Sequence, residues 1–460
     1  MLIDRYQQMN LFESILPVSA VKMDAELQQI DLLLDDDELF QALKTDLSKR
    51  YPQTTKRGRP STPVEVILRM LILKHLYNWS FEQTEQFVND SISFRQFCRV
   101  YLETVPDDTV LIRWAQLISD DTLRKLHEHL VREATRRKIT RGRKLRIDTT
   151  IVETNIHYPT DSTLLQDGIR VLARTVKKVK DLLPSISGSL TRDFSRSAKR
   201  QVQTIVKFTK STSDETKTAA KRAYQRLCET ARRAVTAAKK VKDTLRQNTS
   251  KAAGSLLETL DTVVPLIENV IDQTRQRVVH GQKVPAEEKL VSIFEPTTSI
   301  HRRGKRARPT EFGHLVKLQE TEGGIITDVE VLFSPVNDTT LLEPSLKNHI
   351  ALFGRPPTHL AADRGFSSDN NEETAITEGV KYVALPAKGK RTEERKAHER
   401  QRWFKHLNRF RVGIEAKISL LKRRYGLRRC LYREQAGFTR WVYLSVIAAN
   451  AFSIARHLVT

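Results

Sequence analysis

The sequence predicts an α/β protein in which a mixed β-sheet follows an all-helical segment and is interrupted, after its first strand, by a long helical insertion. Three observations carry this expectation. Helix-start signals punctuate the first 140 residues, alternating β-branched segments begin near Arg141, and a stretch poor in Gly but rich in Ala, Lys and Arg separates that first strand from the rest. With 460 residues the chain exceeds one average domain. The divisions are expected at 1–140, 141–163, 164–294 and 295–460, the second and last forming one domain split by the third.

Composition narrows the function. Lys and Arg number 78 against 55 Asp and Glu, a formal charge of +23. Such an excess favours a polyanionic partner, nucleic acid before an anionic membrane surface. The three cysteines, Cys98, Cys228 and Cys430, lie far apart without a CxxC, which excludes a disulfide framework and a Cys-based zinc finger. The opening MLIDRYQQMNLF has no basic stretch followed by an apolar run, so no secretory signal is expected. The most apolar segment, Trp441–Ala455, is broken by Ser445, Asn450 and Ser453 and falls short of the roughly 20 residues that span a bilayer. The expectation is a cytoplasmic, nucleoid-associated, DNA-facing protein with no membrane partner.

In the N-terminal part, Thr62-Pro63-Val64-Glu65 reads as a capping box with Pro at the first helical position, followed by the apolar run VEVILRMLILKHLY. Ser80-Phe81-Glu82-Gln83 reads as a second box. Asp107-Asp108 opens a further helix, acidic at its positive end. These short helices resemble a helix-turn-helix arrangement, but taken alone they favour an ordinary helical bundle. Upstream, Arg57 and Arg59 in KRGRP form a basic arm that either follows a phosphate backbone or minor groove or only adds exposed charge.

At Arg141 the texture changes. In KLRIDTTIVETNI, Leu145, Ile147, Thr149 and Ile151 share one strand face and Asp148 sits on the other. A mid-strand Asp is unusual, because Asp is depleted in strands and its desolvation needs a partner. The insertion follows. Residues 170–251 hold 22 Lys or Arg against 6 Asp or Glu, a local +16. A thin stripe of Ala223, Leu227, Ala234 and Ala238 suggests a long helical hairpin whose basic faces contact DNA or serve as a solvated strut. Beyond the basic loop with Arg302 and Arg303, GHLVKLQE and IITDVEVLF form a hairpin about Thr321-Glu322-Gly323-Gly324. A helix capped at Asn337-Asp338-Thr339, the strand THLAAD, a helix from Asp369, the strand VKYVALP and basic helices from Arg391 complete the chain.

Asp148, Asp363 at the carboxyl end of a strand, and Glu415 in a basic helix stand out as acids. Carboxylates among arginines and lysines suit hard cations that carry phosphates. Two of them also have a plain structural reading, Asp363 as a strand-ending turn and Glu415 as an i−4 partner of Arg411, whereas the mid-strand Asp148 needs compensation. Asp161 reads as a helix N-cap, His157 and His359 lack a second ligand at zinc spacing, and Trp403 is either a packing residue or a stacking platform.

The segments RIDTTIVETNI, LAADRGF and NRFRVGIEAKISLLKRRYG resemble the catalytic core of bacterial insertion-sequence DDE transposases. The N-terminal stretch from GRPSTPVEV to FRQFC is similar to the helical domain that precedes this core, and the long insertion between the first two acids looks most like the ISNCY group. The resemblance implies an RNase H-like fold with Asp148, Asp363 and Glu415 as catalytic, metal-holding acids for two Mg²⁺ ions, Mn²⁺ able to substitute. Arg411, Glu415 and Lys422 match the family's Tyr-(2)-Arg-(3)-Glu-(6)-Lys signature, with Asn408 in place of its Tyr. Arg411, Lys422 and Arg364 would then bind DNA phosphates near the scissile bond, with Arg57, Arg59, Arg302 and Arg303 as further contacts. The implied reaction is hydrolysis at a transposon end, followed by attack of the released 3′-hydroxyl on target DNA. The implied partners are double-stranded DNA at terminal inverted repeats, target DNA and a second copy of the chain or more. A non-catalytic DNA-binding protein and an RNase H-like nuclease without strand transfer are the competing readings.

Overall fold

The computed structural model describes residues 2–6, 16–17, 22–49, 61–184, 192–208, 213–302 and 310–460. Arg57, Arg59 and Arg303 therefore lie outside the described residues. The chain divides into two compact units, Met1–Asn155 with His314–Thr460, and Ile156–Gly313.

The first unit opens with helices α1 (Ala25–Leu33), α2 (Asp37–Ser48), α3 (Val64–Leu76), α4 (Phe81–Asp90), α5 (Ile92–Phe97), α6 (Asp108–Ala115) and α7 (Asp120–Arg136). Ser80 and Gln83 form the expected capping box of α4, and Asp107 caps α6. At α3 the expectation fails: Pro63 is the N-cap and makes no side-chain cap bond. The amides of Val64 and Glu65 donate instead to the carbonyls of Ile3 and Asp4, so a distant backbone replaces the Thr62 hydroxyl. Arg69, fully buried in α3, is neutralised by Glu65 at 2.8 Å and by Asp31 of α1. Lys74, near the end of α3, is also buried, with its ammonium 4.8 Å from the Phe81 ring centroid, 5.3 Å from Tyr432 and 4.7 Å from Trp441.

The first unit continues with β1 (Lys144–Glu153). In the second unit four helices, α8 (Asp161–Leu182), α9 (Ser195–Phe208), α10 (Asp214–Leu245) and α11 (Lys251–Thr274), share one core containing Leu165, Leu227, Ala231 and Ile267. The Ala stripe of α10 thus packs among three other helices among the described residues, not in a single hairpin. Lys177, Lys178, Arg222 and Arg233 remain exposed. Thr160, not Asp161, caps α8. Asp161 is buried and accepts from Gln273 and Arg277, both at 2.7 Å. β2 (Ser299–Arg302) pairs antiparallel with the first four residues of β3 (Thr310–Thr321).

From His314 the chain is again in the first unit. β3 forms an antiparallel hairpin with β4 (Ile325–Leu332) through Gly323 and Gly324, whose positive φ values of 82° and 73° suit glycine. Then follow α12 (Leu342–Phe353), β5 (His359–Ala362), α13 (Asp369–Thr377), β6 (Tyr382–Ala384), α14 (Glu393–Arg400), α15 (Arg402–Arg424) and α16 (Glu434–Val459). The sheet is mixed. β1 lies between β3 and β5, β5 lies next to β6, and the β1–β5 and β5–β6 pairs are parallel. One face, with Leu145, Ile147, Leu360 and Ala362, packs on α12 and α13 residues such as Leu346 and Ala375. The other, with Ala361 and Ala384, packs on Phe404 and Leu407 of α15.

α16 is the one helix among the described residues long and apolar enough to cross a membrane, yet most of it is buried against α1, α3, α7 and β4. Its buried Asn450 accepts from the Ile326 amide at 3.0 Å and donates to the Ile326 carbonyl at 2.7 Å, which binds the helix to the β4 backbone.

Candidate active site

The parallel register of β1 and β5 aligns Arg146 with Ala361 and Ile147 with Ala362. Asp148 and Asp363 are the next residues on each strand path, and Asp363 keeps an extended backbone (φ −70°, ψ 163°). Because side chains alternate, both acids point to the α15 side, from backbones about 4.8 Å apart. Each is steered by the following amide: Thr149 N–H donates to Asp148 Oδ1 and Arg364 N–H to Asp363 Oδ1, both at 2.7 Å.

Helix α15 is seated on this face by Arg146. Its guanidinium pairs with buried Glu320 of β3 at 2.7 Å, donates to the Phe410 carbonyl at 2.5 Å and lies 4.6 Å from the Phe410 ring centroid. Gly413 makes the approach possible, since a Cβ there would stand 2.1 Å from Arg146 Nη1. Two residues further on is Glu415. Arg411 Nη1 donates to Glu415 Oε1 at 3.2 Å and stands 4.0 Å from Asp363 Oδ1, so one guanidinium joins the two acids. Asn408, which replaces the signature Tyr, accepts from Arg411 Nε at 3.2 Å and orients it. Lys422 is half-buried two turns past Glu415, and Arg364 is exposed beside Asp363. Arg302 is exposed on β2 in the second unit.

The three acids are thus linked, two by strand register and two through Arg411. Their donors are all carboxylate oxygens, the set a hard divalent cation takes. Among the described residues no group of three or more His, Cys, Asp or Glu is spaced to hold a metal ion. The Arg411 guanidinium bridges Asp363 and Glu415.

Asp338 did not stand out as a site residue in the sequence. It accepts from Thr149 Oγ1 at 3.3 Å, and its Oδ2 lies 2.5 Å from where a Gly365 Cβ would be. It therefore buttresses both the residue after Asp148 and the turn after Asp363. The signals available were the glycines, Gly413 inside a helix and Gly365 beside an acid, since glycine marks close approach. Other acids and histidines have structural roles. Glu153 pairs with Arg429 at 3.0 Å, His157 lies 3.4 Å from Asp167, and His359 stacks on Tyr382.

A family model described as Transposase domain (DUF772) matches residues 18–117, and one described as Transposase DDE domain matches residues 270–451. The second match includes Asp363 and Glu415 and begins after Asp148. No curated protein and no solved structure matches the chain.

Proposed function

Because the chain belongs to the insertion-sequence DDE transposases, enzymes that cleave and join DNA at transposon ends, we propose that Asp148, Asp363 and Glu415 are its catalytic acids on an RNase H-like core. One observation carries the assignment: strand register sets Asp148 beside Asp363 on the face covered by α15, and Arg411 ties Asp363 to Glu415. The RNase H-like reading is supported by a mixed sheet with β1 between the hairpin and two parallel strands. The helical second unit between the first two acids supports membership of the ISNCY group.

The three acids would hold two Mg²⁺ ions, or Mn²⁺ in their place, and such cations when bound stabilise charge on the attacking and leaving oxygens of a phosphodiester. The chain's own residues prepare that site. Amides of Thr149 and Arg364 fix one oxygen of Asp148 and of Asp363. In the DNA-free protein Arg411 neutralises Asp363 and Glu415, and an arriving phosphate competes for its fork of donors. Lys422 and Arg364 add positive charge for the same backbone. The strand is hydrolysed to a 3′-hydroxyl, which then attacks target DNA, and no protein nucleophile enters either step. The helices of 1–140 and the basic insertion of 164–294, with Arg57, Arg59, Arg302 and Arg303, would grip terminal inverted repeats in a dimer or larger assembly on cytoplasmic, nucleoid DNA.

The test is the full chain with duplexes carrying its own element's ends and Mg²⁺ or Mn²⁺. Nicked and joined products are expected, lowered at least about 10³-fold by D148N, D363N or E415Q. Unchanged activity in D148N would leave a non-catalytic DNA binder, and cleavage without joining would leave a nuclease.

A further inference from the structure

Resting on the transposase reading, we propose a second DNA-backbone site on the outer face of α14 and α15, one that grips duplex away from the scissile phosphate. A cleft of about 780 Å³ there is lined by Arg400, Arg402, Trp403, Lys405, His406 and Arg409, with no carboxylate in its wall. The three arginines and the lysine are exposed, and among the described residues none of them is in an ion pair. Their neighbours differ. Arg391 pairs with Glu399, Arg395 with Glu372 and Lys396 with Glu393. Glu399, Glu372 and Glu393 are thus taken up by those cations, while the four in the cleft wall have no ion-pair partner among the described residues. Clustered cations of one sign in a concave surface focus a positive potential and select a polyanion.

The cleft is fixed rather than adaptable at its centre. Trp403 donates its indole N–H to Gln401, and its ring packs 5.3 Å from Tyr382 and 5.5 Å from Phe404. The cations stand around this half-buried ring and are exposed. At about 100° per residue, Arg409 returns to the azimuth of Arg402, with Lys405 and His406 flanking it. Arg411 and Glu415 fall near the opposite azimuth, beside buried Phe404, Leu407 and Ile414. A strand gripped by Arg402, Lys405 and Arg409 is therefore not the strand lying on Asp363 and Glu415. Joining one DNA to another needs more duplex held than the few nucleotides at the reacting phosphate, and this face supplies a place for it.

The experiment uses the full chain, a fluorescein-labelled random-sequence duplex of about 40 base pairs, and anisotropy titrations over a range of KCl concentrations. R402Q/K405Q/R409Q is expected to bind at least about tenfold more weakly and to lower the slope of log K against log[salt] by about 2–3, roughly 0.9 for each phosphate no longer neutralised. R402K/R409K should keep the parental slope, because charge and not shape is at issue. An unchanged slope in the glutamine variant overturns the proposal, as does an equal loss in the lysine variant. Failure of the transposase reading is separate: it appears as no nicking of supercoiled plasmid by the unaltered chain with Mn²⁺.

Discussion

Gly413→Ala tests whether the seating of α15 on the sheet governs catalysis. The added methyl would stand 2.1 Å from Arg146 Nη1, 3.0 Å from Cζ and 3.3 Å from Nη2. The closest of these is more than about 1 Å inside ordinary non-bonded contact. An unconstrained arginine would swing aside at little cost. Arg146 is constrained: its side chain is 12% exposed, it pairs with Glu320, and it donates to the Phe410 carbonyl. Swinging it away strands a buried Glu320, at a cost of about 3–5 kcal/mol. Lifting α15 is the cheaper response, and it moves Glu415, two residues on, by about 1 Å. A misplacement of that size costs on the order of 10²-fold in rate. The expected result is a loss of about 10²-fold in single-turnover nicking by G413A, with duplex affinity within a few-fold of the parent and a lowered Tm. Nicking within threefold of the parent would refute the reasoning, because the helix would then have absorbed a methyl without moving its acid.

Asp338→Ala should lower nicking by about 10–10²-fold without changing duplex affinity, since it removes the support of Thr149 and the Gly365 turn and touches no DNA; an equal fall in affinity would contradict this. Glu322 has a pH signature. Burial raises its pKa, but amides of Arg143, Lys144 and Arg141 outweigh it and hold the carboxyl below its ordinary value. Its stabilisation is therefore present above that ordinary value and lost as pH falls through the lowered one, so the Tm gap between the parent and E322Q should narrow on acidification below about pH 4.5. Lys74 behaves oppositely. Burial among Phe81, Tyr432 and Trp441 pushes its ammonium down to about 8. The unfolded chain then holds a proton that the folded one sheds, and stability gains from pH 8 toward the ordinary lysine value. Denaturant titrations should show that gain in the parent and not in K74M; parallel curves would sink it.

Features set by neighbours in the chain were legible in the sequence. The alternation around Ile147, the hairpin at Gly323-Gly324 and the box from Ser80 to Gln83 are local, and the structure has them. Features set by distant partners were not. Pro63 displaces Thr62 as the cap because residues 3 and 4 supply the acceptors. Asp161 leaves the cap position for Gln273 and Arg277, more than a hundred residues away. The same divide runs through the site. Asp148, Asp363 and Glu415 attract notice in sequence by strand context and motif, whereas the Arg146–Glu320 pair, the Arg411 bridge and the Asp338 buttress exist only once strands and helix are packed.

The interleaving of the chain has a consequence for biosynthesis. β1 carries Asp148, yet its sheet neighbour β5 and the His314–Thr321 part of β3 are translated only after all of Ile156–Gly313, and the core of α1, α3 and α7 waits for α16. The locally wired helical insertion can collapse early on the ribosome, while the flanking unit cannot cooperate until residues 434–459 emerge. A nascent chain therefore gains its cutting apparatus late and all at once, and a stop codon before α16 yields a protease substrate rather than a partly working enzyme.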